Sequence, residues 1–304
     1  MIKDMILPPY LHKGDKVAIV SPARSITFEE VFPAMKFFQK WGLEVILGTH
    51  VFGKHNQYSG TDDQRRQDLQ QMLDDPSIRA IIATRGGYGT VRIIDRLDFT
   101  TFSKQPKWIV GYSDITVLHS HIHRHLGIQT LHATMPFSIK EQNANEITIE
   151  SSRKALFGEK ISYSKHITFW DRTGLMEGEL VGGNLSILYS LAGTPSDIDT
   201  RGKILILEDV DEYLYHLDRM MMNLKRSGKL SELKGLIVGG MTDMRDNEVP
   251  FGKSAHEIIQ EAVKEYTYPV CFDFPAGHEK LNVALYLGRK AKLIVEKEVS
   301  LLFE

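Results

Sequence analysis

"KWIVGYSDITVLHSH", residues 107–121, decides how the first half of the chain is read. It opens as a short apolar, β-branched run and closes with helical spacing that continues to Leu126, and a glycine and a serine stand at the junction. Strand, tight turn and helix in direct succession make half of a βαβ unit, and such units build parallel sheets.

The same alternation runs through the neighbouring sequence. "KVAIV" at 16–20 reads as a strand, and Thr27 with Glu30 three residues on predicts a capping box for a helix over "FEEVFPAMKFFQKW" that Gly42 ends. "LEVIL" follows as a strand, then Thr61 and Gln64 cap "DDQRRQDLQQMLDD", which Pro76 stops. "AIIAT" at 80–84 is a third strand, "VRIIDRLD" a further helix, and residues 107–126 the fourth strand and its helix. The predicted product is an α/β doubly wound sheet, whose ligands bind where loops gather at the strands' carboxyl ends. Two of those ends are rich in glycine, "TRGGYGT" at 84–90 and "GYSD" at 111–114. Neither has the spacing of a P-loop or of a dinucleotide fingerprint.

Between about Ser138 and Met176 the pattern loosens into polar stretches such as "KEQNANE" and "SYSKH", so 139–176 reads as a crossover between a domain at 1–138 and another at 177–304. The second domain begins with "GELVGG" and "NLSILYSLAG". "KILILEDV", a long helix from Glu212, "LKGLIVGG", "SAHEIIQEAVKEY" and "PVCFDFP" follow, and the chain closes in short strands. This is a second α/β unit with a more antiparallel end.

Composition limits the chemistry. A net charge of −2 gives no electrostatic footprint for nucleic acid or acidic lipid. Cys271 is the one cysteine, which excludes an internal disulfide and a thiolate zinc cage and fits a reducing compartment. The opening "MIKDMILPPYLHKGD" is broken by acid and proline where a leader needs an apolar run, and no later run approaches the ~20 apolar residues of a membrane span. A cytoplasmic protein is expected, without metal or cofactor.

Ser113 has two readings: a helix N-cap, or a nucleophile elbow in which a tight strand-to-helix turn projects the hydroxyl into the ligand cleft. A serine nucleophile needs a base. Four of the 12 histidines crowd one helix, but His119/His123 and His121/His125 fall on different faces, which argues against one metal using all four. His278 differs, standing in the polar loop "FPAGHEKLN" directly after a strand. A carboxylate should orient it, and Glu208 at the end of "KILILED" is a candidate beside Asp209 and Asp211, among which spacing cannot choose.

With these residues in place, the chain resembles the LD-carboxypeptidase family of serine peptidases, which includes murein tetrapeptide carboxypeptidases and microcin C self-immunity proteins. The resemblance covers nearly the whole chain. Its carriers are "SPA" at 21–23, "RGGYG" at 85–89, "GYSD" at 111–114, "GNLS" at 183–186, "LILED" at 205–209 and "GHEKLN" at 277–282. It implies a flavodoxin-like or Rossmann-like domain followed by a swivelling α/β domain, with a triad of Ser113, His278 and Glu208 assembled between them. It also implies an oxyanion hole from the amides of Asp114 and of Gly86 or Gly87. The substrate it implies is a small peptide, murein tetrapeptide, and dimers are common among proteins resembling this one. Arg85, at the mouth of the glycine turn, would hold the free carboxylate of a terminal D-alanine. No long insertion or extra aromatic loop for stacking an adenine is evident, which favours the murein branch over the adenylate-cleaving immunity branch. A non-catalytic nucleotide or anion binder, with "RGGYG" and the serine turn as anion nests, is the rival from another class.

Overall fold

The computed structural model describes residues 5–139 and 145–304. The first four residues of the opening segment and residues 140–144 of "KEQNANE" lie outside the described residues. The chain divides into two compact units, one running to Lys160 and including Val283–Tyr286, the other holding Ile161–Asn282 and Leu287–Glu304.

The first unit runs β1 (Lys16–Val20), α1 (Phe28–Lys40), β2 (Glu44–Leu47), α2 (Asp62–Asp74), β3 (Ile78–Ala83), α3 (Thr100–Lys104), β4 (Trp108–Gly111), α4 (Thr116–Leu126), β5 (Thr130–His132) and α5 (Glu146–Leu156). Both predicted capping boxes form, Thr27 with Glu30 and Thr61 with Gln64. The five strands are parallel in the order β2-β1-β3-β4-β5. Strand order reverses between β1 and β3, so the crevice such sheets offer a ligand opens beyond Val20 and Ala83.

Two sequence expectations are corrected here. "VRIIDRLD" forms two 3-10 turns, Thr90–Arg92 and Ile94–Arg96, rather than a helix. Its two buried isoleucines, Ile93 and Ile94, sit at the junction of the two turns. The stretch without a period contains α5, capped by Asn145, whose side chain accepts from the Thr148 amide at 3.2 Å. The buried face of α5 includes Thr148, Ser151, Ser152 and Ala155, small and partly hydroxylated residues that carry little hydrophobic periodicity.

The second unit runs β6 (Ser162–His166), β7 (Gly174–Asn184), α6 (Leu185–Leu191), β8 (Ile204–Val210), α7 (Leu214–Arg226), β9 (Gly235–Thr242), α8 (Ala255–Ala262) and β10 (Val270–Cys271). After it come β11 (Leu285–Leu287), β12 (Lys290–Val295) and β13 (Glu298–Phe303). Its sheet has the order β10-β9-β8-β7-β12-β13-β6, parallel from β10 to β7 and antiparallel beyond. Leu205, Leu207, Leu236 and Val238 meet Met220 and Ile259 in its core. β11 does not join this sheet: it extends the first one, beside β5. Among the described residues no helix is long and apolar enough to cross a membrane.

Candidate active site

Ser113 follows β4 by two residues and has φ +62°, the left-handed region that a side chain normally avoids at a cost of about 1–2 kcal/mol. It does not cap α4, whose N-cap position is Ile115 and carries no side-chain cap bond. What holds the turn is glycine and buried polar contact. Gly111 has φ +156°, and a Cβ there would stand 2.8 Å from Ile115 Cγ1. The Gly111 carbonyl accepts from Nε2 of buried His119 at 2.9 Å. Burial drives the His119 pKa down to about 3, which keeps the ring neutral for that bond.

The glycine turn after β3 packs on the serine. A Cβ on Gly86 would come within 2.7 Å of both Cβ and Oγ of Ser113 and 3.2 Å of the Asp114 nitrogen, so only glycine fits. Among the described residues, the amides of Gly86 and Gly87 donate to no acceptor. The Asp114 carboxylate, fully buried, ties this turn to the serine: Oδ2 accepts from the Thr90 amide at 2.9 Å and the Thr90 hydroxyl at 2.6 Å. Burial raises the Asp114 pKa against the pull of Thr90 and Gly89.

Arg65, buried in α2, donates to the carbonyls of Pro22 and, at 2.9 Å, Gly89, and pairs with Asp62. It thereby joins the "SPA" turn after β1 to the glycine turn. Sequence reading missed Arg65, Thr90 and His119. Thr90 closes the "TRGGYGT" stretch and His119 stands among the clustered histidines, but spacing reports neither role, and the odd presence of arginine on a helix face otherwise holding Leu69, Met72 and Leu73 is the signal that could have flagged Arg65.

Arg85 is half-buried, its guanidinium 3.8 Å above the Phe137 ring and one Nη donating to the Ser25 carbonyl at 3.3 Å. Burial and the neighbouring Arg24 hold it below the ordinary arginine range.

In the second unit, His278 and Glu208 meet: Nδ1 of the imidazole lies 2.7 Å from Glu208 Oε2. Nδ1–H donates to the carboxylate, which leaves Nε2 as the basic nitrogen. Glu208 is fully buried and His278 partly exposed. Burial lowers the His278 pKa, but the charge and hydrogen bond of Glu208, with Asp209 behind, raise it further, and the net direction is up. A bulge aims Glu208: pairing passes from Leu207↔Val238 to Asp209↔Met241, so Glu208 alone faces Gly239 and Gly240. Gly277, at φ +101°, makes room, since a Cβ there would stand 2.5 Å from Glu208 Oε2. The loop is held by the Gly277 amide on Asn282 Oδ1 at 2.9 Å and by the Thr242 hydroxyl on the His278 carbonyl at 3.0 Å.

The other two carboxylates are engaged elsewhere. Asp209 accepts from Asn184 Nδ2 at 3.0 Å, the Ser186 amide at 2.8 Å and the Val210 amide at 2.9 Å. Burial and Glu208 nevertheless push its pKa up to about 7. Asp211 pairs with Arg245. Of the clustered histidines, His123 meets the Thr130 hydroxyl at 3.0 Å, while the His121 and His125 rings meet at a tilt with centroids 4.5 Å apart. The loop between β6 and β7 carries Phe169, 89% exposed, and Trp170, which packs on His256 at 5.3 Å. Two adjacent aromatics in a short aperiodic stretch give no sequence sign of exposure.

Comparison with known proteins bears on this arrangement. Residues 17–133 match the family model of the LD-carboxypeptidase N-terminal domain, and 177–293 that of the LD-carboxypeptidase C-terminal domain. The chain is 37% identical over 294 residues to the probable murein peptide carboxypeptidase of Bacillus subtilis (strain 168), covering 94% of this chain and 91% of that protein. Its fold matches the crystal structure of muramoyltetrapeptide carboxypeptidase from Oxalobacter formigenes with a TM-score of 0.86 and 27% identity, over 95% of this chain and 98% of that one. It also matches the microcin C7 self immunity protein MccF in complex with aspartyl sulfamoyl adenosine, with a TM-score of 0.86 at 23% identity, over 99% and 98% of the two chains, a likeness of fold alone.

Proposed function

The chain belongs to the LD-carboxypeptidase family, and from that membership and the chemistry of its residues we propose that it is a serine carboxypeptidase releasing terminal D-alanine from murein tetrapeptide by hydrolysis of an L,D-peptide bond. The observation that carries the serine reading is Ser113 itself, in left-handed backbone between a strand and a helix, as a nucleophile elbow requires.

Ser113 Oγ attacks the carbonyl preceding D-alanine. His278 Nε2 takes the hydroxyl proton and returns it to the leaving amine, while Glu208 holds the tautomer and stabilises the imidazolium. The Asp114 amide and that of Gly86 or Gly87 receive the oxyanion. Water then hydrolyses the acyl-enzyme by the same path reversed. Arg85 takes the free carboxylate of D-alanine. We further propose a cytoplasmic location, supported by a single, buried cysteine, and a homodimer, expected from the family; fractionation and sedimentation test them.

The exposed Phe169 beside Trp170 favours one second reading, cleavage of an aminoacyl adenylate analogue with the base stacked on an aromatic ring. The test assays D-alanine release from murein tetrapeptide beside turnover of an aminoacyl sulfamoyl adenylate, with wild type and Ser113→Ala. Expected is selective turnover of the tetrapeptide, reduced roughly 10⁴-fold or more by Ser113→Ala. Preference for the adenylate would install the second reading, and full activity of Ser113→Ala would remove the nucleophile.

A further inference from the structure

We propose that Arg24 and Arg85 form a two-arginine subsite that jointly grips the terminal carboxylate of the substrate, with Arg24 its second arm. The inference rests on the carboxypeptidase reading above and concerns the first unit alone.

The two glycines of the turn after β3 divide the work. Gly86 is bare where Ser113 packs, and Gly87, at φ +112°, is bare where the aliphatic stem of Arg24 crosses it: a Cβ on Gly87 would overlap Cδ and Cγ of that arginine. The backbone beside the serine is thus shaped to carry an arginine stem. Arg24 is exposed, and its side chain makes no hydrogen bond or ion pair with any described residue.

Arg85 is also short of partners. Its guanidinium lies over the Phe137 ring, and among the described residues Nε is buried without an acceptor and the 3.3 Å contact with Ser25 is its one hydrogen bond. No carboxylate pairs with either arginine among the described residues. Glu30, the acid whose charge reaches Arg85, is engaged in the α1 cap, accepting from the Thr27 amide at 2.9 Å. The Arg24 charge reaches Arg85 and repels it, and an anion bound by both would relieve that repulsion. A terminal carboxylate offers two oxygens with lone pairs enough for both forks. The division is then an arm packed on a ring and an exposed arm laid over the glycine next to the one that meets Ser113.

The test measures kcat and KM for a murein tetrapeptide and its C-terminal amide with wild type, Arg24→Ala, Arg24→Lys and Arg85→Ala. Peptides with lysine and with diaminopimelate at the third position are both used. Arg24→Ala should cut the preference for acid over amide roughly 10- to 100-fold, chiefly through KM, on both peptides, and Arg24→Lys should restore part of it. A fifth protein carrying both Arg24→Ala and Arg85→Ala should lose less than the product of the single losses, since both arms hold one group. Equal losses on acid and amide would make Arg24 a support of the turn and overturn the subsite. A loss confined to the diaminopimelate peptide would assign Arg24 to a different carboxylate and overturn it equally. Wild type releasing no D-alanine from either peptide would fail the carboxypeptidase reading and this inference with it, whereas an active wild type matched by Arg24→Ala would fail the inference alone.

Discussion

The serine turn and the histidine loop reach functional geometry by opposite means. Ser113 is positioned by backbone: a left-handed residue, bare glycines at 86 and 111, and buried polar ties from Asp114 and His119. His278 is positioned by charge: a fully buried carboxylate 2.7 Å away, set by a bulge and reached through the gap at Gly277. The difference teaches where each is vulnerable. Steric change should break the first, whereas the second should answer to charge and pH.

The largest expected effect is on the charged pair. Glu208→Gln keeps shape but offers an amide that can favour the wrong imidazole tautomer, and a loss of about 10⁴-fold in kcat is expected by analogy with a well-studied triad. Asp209→Asn should be milder, because Asp209 spends its oxygens on Asn184, Ser186 and Val210. Steady-state kinetics of both variants decides this, and a deeper loss in Asp209→Asn would reverse the assignment.

Next comes the steric arm of the comparison. Gly86→Ala introduces a methyl 2.7 Å from Ser113 Oγ and should displace both the nucleophile and the oxyanion donors, at about 10²- to 10³-fold in kcat. Its pH profile should keep the wild-type shape. A shifted profile with little loss of rate would show that the serine turn, too, is governed by charge.

A smaller effect separates the regions by pH. The net upward shift of His278 places the acid limb of kcat/KM above the ordinary 6.5, since the base must be neutral, and Glu208→Gln should move the limb downward. Stability runs the other way. A raised folded pKa contributes stability that is fully present below 6.5 and lost as pH rises through the folded value. Asp209 has the same sign over a lower window, from 3.8 to about 7. Denaturant titrations and pH–rate profiles should therefore slope oppositely above 6.5, and parallel slopes would remove Glu208 as the source of the shift.

The backbone-built region was also the more legible in sequence. Both capping boxes depend on contacts between near neighbours, which spacing reports, and the strands and glycine turns show in local composition. The choice of Glu208 over Asp209 did not, because alternation and a bulge opposite Gly239 and Gly240 decide which carboxylate turns toward His278. Arg65 is similar: its carbonyl partners, Pro22 and Gly89, lie 43 and 24 residues away. β11 was hidden for a related reason, since three residues among the closing strands leave their sequence neighbours to extend the first sheet. α5 escaped because hydroxyls on its buried face are satisfied locally, Ser151 and Ser152 both donating to the Thr148 carbonyl.

The smallest expected effect is on stability and isolates strain from chemistry. If φ +62° at Ser113 is held by the surrounding contacts, the folded state carries a penalty that any side chain with a Cβ shares and glycine escapes. Ser113→Ala removes the hydroxyl and keeps the penalty, so its unfolding free energy should stay near wild type. Ser113→Gly also removes the penalty, though glycine adds freedom to the unfolded chain, and the two terms oppose each other. With strain of about 1–2 kcal/mol and an entropic cost of about 0.5–1 kcal/mol, Ser113→Gly should exceed Ser113→Ala by up to about 1.5 kcal/mol. Urea unfolding of the two inactive variants measures that difference without interference from catalysis. The matched control is Ser120→Ala against Ser120→Gly in the middle of α4, where backbone is helical and glycine should be the less stable of the pair. The same sign at both positions would mean that the serine turn stores no strain, and the contrast between a backbone-built nucleophile and a charge-built base would lose its first half.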